Sequence, residues 1–446
     1  MVLQERDPLH QREGIDMTQD QGAIVPLQPL DTIQRYFDER QEALVRCALA
    51  LDGRLNLAAL KEACAHVVTA VPAAAGAFDA RANCWRTFDD ASVRILRLLT
   101  CDDDAYDKTV RTALLAHLNP MVAPQLRVTV VRRPTGPDTL VVCAHHMLCD
   151  FGGFRQVLSL LSSAYARATG EDTGSDAAPS LTVPATRGLL QITRNIPATH
   201  LARVLAHDPR APKADPDLVM PAASGSACPR LARRDIAAAD FEQACATVAA
   251  VGATANDLLL AAYGRTLCSA VGSDSVVLPC PIDLRRYARA GQTCGVCNLT
   301  GSLSCRVSSY VREPLMATIA AVSRQMRVAK ASDAGLRDPL MLEAVKALPY
   351  DAMRGIFENA GMPDALSYTN LGVTREAQVD FGQTKVTDML VATATRPWPT
   401  FQLSAHTFGG TCTLTACMDA SDEAAEVAQQ VLDVTAEQVE LLARHA

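Results

Sequence analysis

Apolar residues recur along this chain with two periods, and the points where one gives way to the other mark out its elements. Leu30, Ile33 and Phe37 fall at helical spacing behind Asp31, a residue suited to cap a helix start. Val45, Cys47, Leu49 and Leu51 then alternate with Arg46, Ala48 and Ala50, the period of a strand. Leu57, Leu60, Cys64, Val67, Val68 and Val71 trace the stripe of a helix. Pro72 ends it, because proline has no N–H to continue the ladder. Residues 126–131 and 139–144 predict two strands joined by the turn Pro134-Thr135-Gly136-Pro137-Asp138. The second strand runs into His145-His146. After Gly152-Gly153 a helix opens, with Phe154, Val157, Leu158, Leu161 and Tyr165 on one side.

The second half repeats the mixture. Residues 257–267 predict a buried helix, 276–281 a short buried strand and 311–331 a long helix. Strands are expected at 366–370, 386–392 and within 401–418, and an amphipathic helix at 423–445 closes the chain. One plan occurs twice: strand, glycine-containing turn, strand, helix, at 126–165 and again at 401–434 with its turn at Phe408-Gly409-Gly410. On that parallel His145-His146-Met147-Leu148-Cys149-Asp150 stands opposite Leu414-Thr415-Ala416-Cys417-Met418-Asp419, so only one copy carries histidines. The expectation is an α/β fold of two similar half-domains facing one another, with the active centre in the cleft. A chance likeness of two hairpins is the alternative. Loose stretches at 170–180, rich in Gly, Ser, Asp and Pro, and at 208–229, rich in Pro, separate the halves. The division is a first half-domain at 23–185, a linker or loop at 186–229 and a second half-domain at 230–446.

Composition narrows the picture. With 446 residues, 49% hydrophobic and 20% charged, the chain is globular and long enough for two or three domains. A net charge of −7 argues against a nucleic-acid grip built on Lys and Arg. No uncharged apolar run approaches the ~18 residues of a membrane span. Residues 1–22 are polar and lack a signal-peptide core, so they are expected to be a disordered leader, or Met17 is the true start. Without an export signal, the 15 scattered cysteines are expected to be reduced and the protein cytoplasmic.

Candidate chemistry centres on residues 145–150. Adjacent histidines at a strand end point to opposite faces, so at least one meets polar partners inside the protein. An imidazole of ordinary pKa ~6.5 takes a proton from a hydroxyl or amine near neutral pH. Asp150, past the turn, can fix the loop through an ion pair, or simply cap the next helix. A satisfied buried histidine pair without chemistry is the plainer alternative. Cys294-Gly295-Val296-Cys297 is a lone C-x-x-C before a strand, with no second ligand pair at zinc spacing, and no metal is expected.

His145-His146-x-x-x-Asp150 after a strand resembles the motif of the condensation-domain and chloramphenicol-acetyltransferase-like superfamily of acyltransferases. The resemblance runs from Pro26 to the end. It includes Pro29-Leu30-Asp31, Pro124-Gln125-Leu126-Arg127-Val128, Pro279-Cys280-Pro281-Ile282-Asp283-Leu284-Arg285-Arg286 with Asn298 after it, and Tyr368-Thr369-Asn370-Leu371-Gly372. It implies two chloramphenicol-acetyltransferase-like half-domains of mixed sheets and helices, a V-shaped pseudo-dimer with an active-site tunnel between them. By the same resemblance His146 is the general base and His145 its structural neighbour. Asp150 pairs with an arginine of the other half, Arg285 first and Arg286 second. Relatives carry Gly directly after that Asp. Here Phe151 stands there, ahead of Gly152-Gly153, and sets a ring where the donor's arm or an oxyanion would lie.

The reaction so implied is acyl transfer by a stand-alone enzyme from a thioester, either acyl-CoA or a carrier protein, to a small-molecule hydroxyl or amine acceptor. Natural-product or lipid biosynthesis is the expected setting. No bound cofactor and no acyl-enzyme are needed, which suits the absence of a Gly-x-Ser-x-Gly elbow. Oxyanion or substrate contacts are expected from N–H groups near Gly152, from Asn370 and from Ser404. Trp398, between Pro397 and Pro399, lines the channel or caps the core, and His406 reads as a packing or surface residue rather than a second base. Two other functions stay open: a free-standing nonribosomal-peptide condensation enzyme acting in trans, and a degenerate condensation-like recruitment module.

Overall fold

The computed structural model describes residues 23–87, 95–122, 124–171, 182–206, 212–309, 313–360, 362 and 365–445. The leader expected at 1–22, most of the loop at 170–180 and the first residues of the helix predicted at 311–331 lie outside them. Among the described residues no helix is long and apolar enough to cross a membrane.

A five-stranded sheet forms the first half, in the order Val386–Ala392, Leu44–Leu51, Thr139–His145, Leu126–Arg132, Leu96–Thr100. The predicted hairpin is present, with Leu126 opposite Ala144 and Val131 opposite Thr139. Leu44–Leu51 is a central strand, and Leu44 faces His145 across its ladder. Its Val45, Cys47 and Leu49 pack with Leu60, Phe154 and Leu158 beneath the helices Leu57–Ala70 and Phe151–Ala168. The alternating set is covered too. Ala48 packs with Val141, Cys143 and Leu114 under the helix Tyr106–Leu115. Arg46 is wholly buried, 2.7 Å from Glu42. Burial alone would raise the Glu42 carboxyl, but hydrogen bonding from His117 and the Arg46 charge outweigh it and hold it at about 2.

The second half is built on Leu366–Thr374, Phe401–Phe408 and Thr411–Ala420, with Cys228–Ile236 and the short Arg396–Pro397 both paired to Thr411–Ala420. Gly409 and Gly410 take φ of 54° and 83° in the hairpin turn, a backbone that costs glycine nothing. Helices Ala255–Val271 and Asp422–Arg444 share one apolar core with this sheet. A separate ribbon, Ser275–Asp283 paired with Thr300–Ser308, reaches toward the first half.

Three details depart from the pattern read along the chain. The helix behind Pro26 starts at Pro29, and its N-cap is Gln28, not Asp31. Proline at the first helical position needs no N–H partner, so the helix opens there and Asp31 falls in its first turn, accepting from the Gln28 N–H at 3.0 Å. The repeated hairpin-and-helix plan is real, but its register differs. Residues 414–419 lie inside the strand Thr411–Ala420, and Ser421 caps the helix directly after it. Only the first copy interposes residues 146–150 between strand and helix. Last, Val386–Ala392 comes from the second half of the chain yet forms the edge of the first half's sheet, Met389 opposite Leu49. The crossover after it, residues 393–396, carries the chain back.

Candidate active site

Both histidines have their main chain fixed. The His145 N–H donates to the Gln125 carbonyl at 2.9 Å and the His146 N–H to the Ala43 carbonyl at 2.8 Å. The His145 ring is wholly buried. Its Nδ1 accepts the Met147 N–H at 3.2 Å, which leaves Nε2 as the protonated nitrogen, 3.1 Å from Asp38 Oδ1. The His145 ring thus serves the loop through its bond to Met147 and its approach to Asp38. His146 points the other way, onto the wall of a cavity. Burial lowers its pKa, and hydrogen bonding to its own carbonyl, the Asp150 charge and the Asn298 amide counter that only in part. The shift favours the uncharged, proton-accepting form of the ring.

Asp150 caps the helix Phe151–Ala168, its Oδ1 accepting from the Gly153 N–H at 2.9 Å. The same carboxylate meets Arg285 of the other half, with Nη2 2.9 Å from Oδ1 and Nη1 3.0 Å from Oδ2. Oδ2 also accepts from the Leu299 N–H at 2.7 Å and the Thr300 hydroxyl at 2.9 Å. Burial would raise this carboxyl, but the Arg285 charge and these donors hold it below the usual range. Arg285 reaches on to the Cys297 carbonyl at 3.0 Å and to Asp283 Oδ1 at 3.1 Å. Capping and ion pairing, alternatives in the sequence, are one arrangement here. Arg286 takes no part in it; its guanidinium lies over the Tyr287 ring.

A second anchor has no counterpart in the roles assigned from sequence. Asn298 donates through Nδ2 to the His146 carbonyl at 2.9 Å and to Asp31 Oδ1 at 2.8 Å. Asp31, fully buried, also accepts from Arg187 Nη2 at 3.0 Å. Arg187 in turn binds the carbonyls of Leu148 and Val296, at 3.0 and 2.7 Å. The loop at 145–150 is therefore clamped by five separate stretches of chain, at Asp38–Ala43, Gln125, Arg187, Arg285 and Asn298–Thr300. Asn298 was visible only as a member of the superfamily pattern, Asp31 there and as a helix-cap candidate, and no signal marked Arg187.

The cavity encloses about 300 Å³ and is lined from both halves. Its wall includes His146, Asp150, Phe151, Gly152 and Asn370. The Phe151 ring stands edge-on to His406, centroids 5.6 Å apart. Gly152 and Arg155 beyond it line the same space. Asn370 accepts the Gly372 N–H through Oδ1 at 2.9 Å. Two candidates lie off the wall. Ser404 is buried with its hydroxyl 2.7 Å from Thr393 Oγ1, behind the surface that Gln402 and Thr393 present. Trp398 donates to the Pro221 carbonyl at 3.0 Å and packs edge-on against Phe401, over the second half's core. His406 is buried, its Nε2 2.9 Å from Thr374 Oγ1, and burial pushes its pKa down to about 3. Cys294 and Cys297 are buried free thiols.

Gly152 is required by the fit of the two halves. A Cβ there would stand 2.5 Å from Arg285 Nη1 and 2.9 Å from its Cζ. Gly152→Ala must shift the Arg285 guanidinium and strain its pair with Asp150 without removing it, and we expect a loss of ~1–3 kcal/mol in urea unfolding. Gly355, inside the helix Tyr350–Asn359, has nothing within 4 Å of such a Cβ. Gly355→Ala should instead stabilise by roughly 1 kcal/mol, from helix propensity. Equal effects at the two sites would refute the steric account.

No family model and no curated protein sequence matches the chain. Solved structures do. Polyketide synthase associated protein 5 from Mycobacterium tuberculosis superimposes with a TM-score of 0.66 at 16% identity, over 95% of this chain and 98% of that one. The first condensation domain of the CDA synthetase gives 0.65 at 15% identity, over 94% and 97%. The epimerization domain from the third module of tyrocidine synthetase B gives 0.64 at 14% identity, over 96% and 98%. This chain has the condensation-domain fold, a mixed α/β architecture of two chloramphenicol-acetyltransferase-like halves. At these identities the likeness carries the fold; the chemistry rests on the residues of the site.

Proposed function

We propose that this protein transfers an acyl group from a thioester to a hydroxyl or amine acceptor, with His146 as general base. The observation that carries the reading is the His146 ring on the wall of a cavity lined by both halves, with its loop held from several sides. The acceptor O–H or N–H gives its proton to His146 as its oxygen or nitrogen bonds to the thioester carbon. The carbonyl oxygen takes the negative charge. Collapse of this adduct re-forms the carbonyl and expels the thiolate, which takes the proton back from His146. The Gly152 N–H is a fitting oxyanion donor, because it lies in the first turn of a helix, where N–H groups have no partner within the helix. The amide NH2 of Asn370 is the second.

The donor is acyl-CoA or an acylated carrier protein and the acceptor is a small molecule, with no bound cofactor taking part. That His146, Phe151, Gly152 and Arg155 line one cavity favours an enzyme over a recruitment module. Direct attack is tested by mixing the protein with a panel of acyl-CoAs, acylated carrier proteins and candidate acceptors and recording intact masses. We expect an acylated acceptor and an unchanged protein mass. A protein gaining the acyl mass would replace this mechanism with a covalent one.

A further inference from the structure

One cation on the cavity wall has no role in the chemistry above. Arg155 lies four residues beyond Phe151 on the same helix, its guanidinium 5.5 Å from the Phe151 ring centroid. Nη1 donates to the Val373 carbonyl at 2.9 Å, and among the described residues no carboxylate comes within ion-pair distance. The other charges on the wall are engaged. Asp150 and Asp283 are held by Arg285, Asp338 lies 3.7 Å from Arg337, and Arg396 donates to the Ser367 hydroxyl at 2.9 Å. Burial lowers the Arg155 pKa, and the Asp283 charge offsets this without pairing with it. A guanidinium keeps its proton, so the half-buried Arg155 stays a cation that no described carboxylate has paired. Its planar fork matches a carboxylate or phosphate. Gly152, nearby on the wall, adds no side chain to the space. One stretch of the wall is apolar: Leu30, Ile33, Phe37, Leu342 and Met362 belong to one hydrophobic cluster.

We propose that Arg155 is the counter-ion for an anionic group of the substrate, which places an anionic end at Arg155 and an apolar portion against the helix Pro29–Asp38. This rests on the cavity being the acyl-transfer site. Two sources supply such a group: the phosphate of a pantetheine arm on the donor, and the carboxylate of an amino-acid acceptor.

Calorimetric binding to the full chain tests it with two matched pairs, 4′-phosphopantetheine against pantetheine and leucine against leucine amide. In one pair the anionic member should bind about 10-fold or more tighter, as expected for a charge-assisted contact. That pair identifies the source. In Arg155→Gln the two members should bind within about 2-fold, the neutral one unchanged. Arg155→Lys keeps the cation and should keep part of the preference, and it decides the matter if Arg155→Gln does not fold. Equal affinities within both pairs, no binding of any probe, or a preference that survives Arg155→Gln would overturn the proposal. No turnover is read, so the result is independent of whether His146 acts as a base.

Discussion

His146→Ala is expected to lower kcat by ~10²–10⁴-fold while the melting temperature stays within a few degrees of wild type. The size follows from losing the group that takes the acceptor's proton. The survival of the fold follows from where the loop is held. The clamps on residues 145–150 act on the His146 N–H and carbonyl, on the His145 ring and on the Asp150 carboxylate, none of which needs the His146 imidazole. His145→Ala should behave in the opposite way. It removes a wholly buried ring that accepts from Met147 and approaches Asp38, so soluble yield and melting temperature should fall at least as far as rate. Wild-type turnover in the His146 variant would mean that the base lies elsewhere.

Asp150→Ala and Arg285→Ala are expected to cost ~3–5 kcal/mol each, the range for breaking a buried ion pair. They should not be equal. Without Arg285, Asp150 keeps donors from Gly153, Leu299 and Thr300, so that variant falls at the lower end. Without Asp150, the helix loses its cap and the Leu299 N–H its partner, while Arg285 keeps only Asp283 and the Cys297 carbonyl. That variant falls at the upper end, with ~1 kcal/mol of the loss being the cap. The double variant should lose less than the sum, because no orphan charge is left. Urea unfolding of the three proteins decides it. Additive losses would show that the pair is not coupled, and lost turnover with unchanged stability would assign Asp150 a chemical role instead.

The elements were largely legible in the sequence because periodicity is local. The hairpin Leu126–Arg132 and Thr139–His145, the loop after it and the helix Phe151–Ala168 each announce themselves within a few residues. Pairing across the chain does not. Val386–Ala392 reads as a strand, but nothing near it says that it joins Leu44–Leu51. Arg46 reads as the polar phase of a strand, yet its partner Glu42 and a covering helix make that face interior. The site divides the same way. His146 and Asp150 stand in a motif, whereas Arg285 came from resemblance, since it is 135 residues away. Ser404 and Gln402 share a strand face, but Ser404 is tied to Thr393 and only Gln402 lines the cavity, a difference no local pattern shows. Arg187 shows no pattern, because its work is to bind carbonyls of distant loops.

The most direct measurement of the central claim is the pH dependence of kcat/KM for wild type and His146→Ala, side by side. A general base must be unprotonated, and burial lowers the His146 pKa, so wild-type activity should rise with pH, break below the ordinary histidine value of ~6.5 and be flat at neutral pH. The variant, having no base to titrate, should show no such break and should climb with hydroxide across the range. The same acid-side break in both proteins would contradict a role for His146 in the proton transfer.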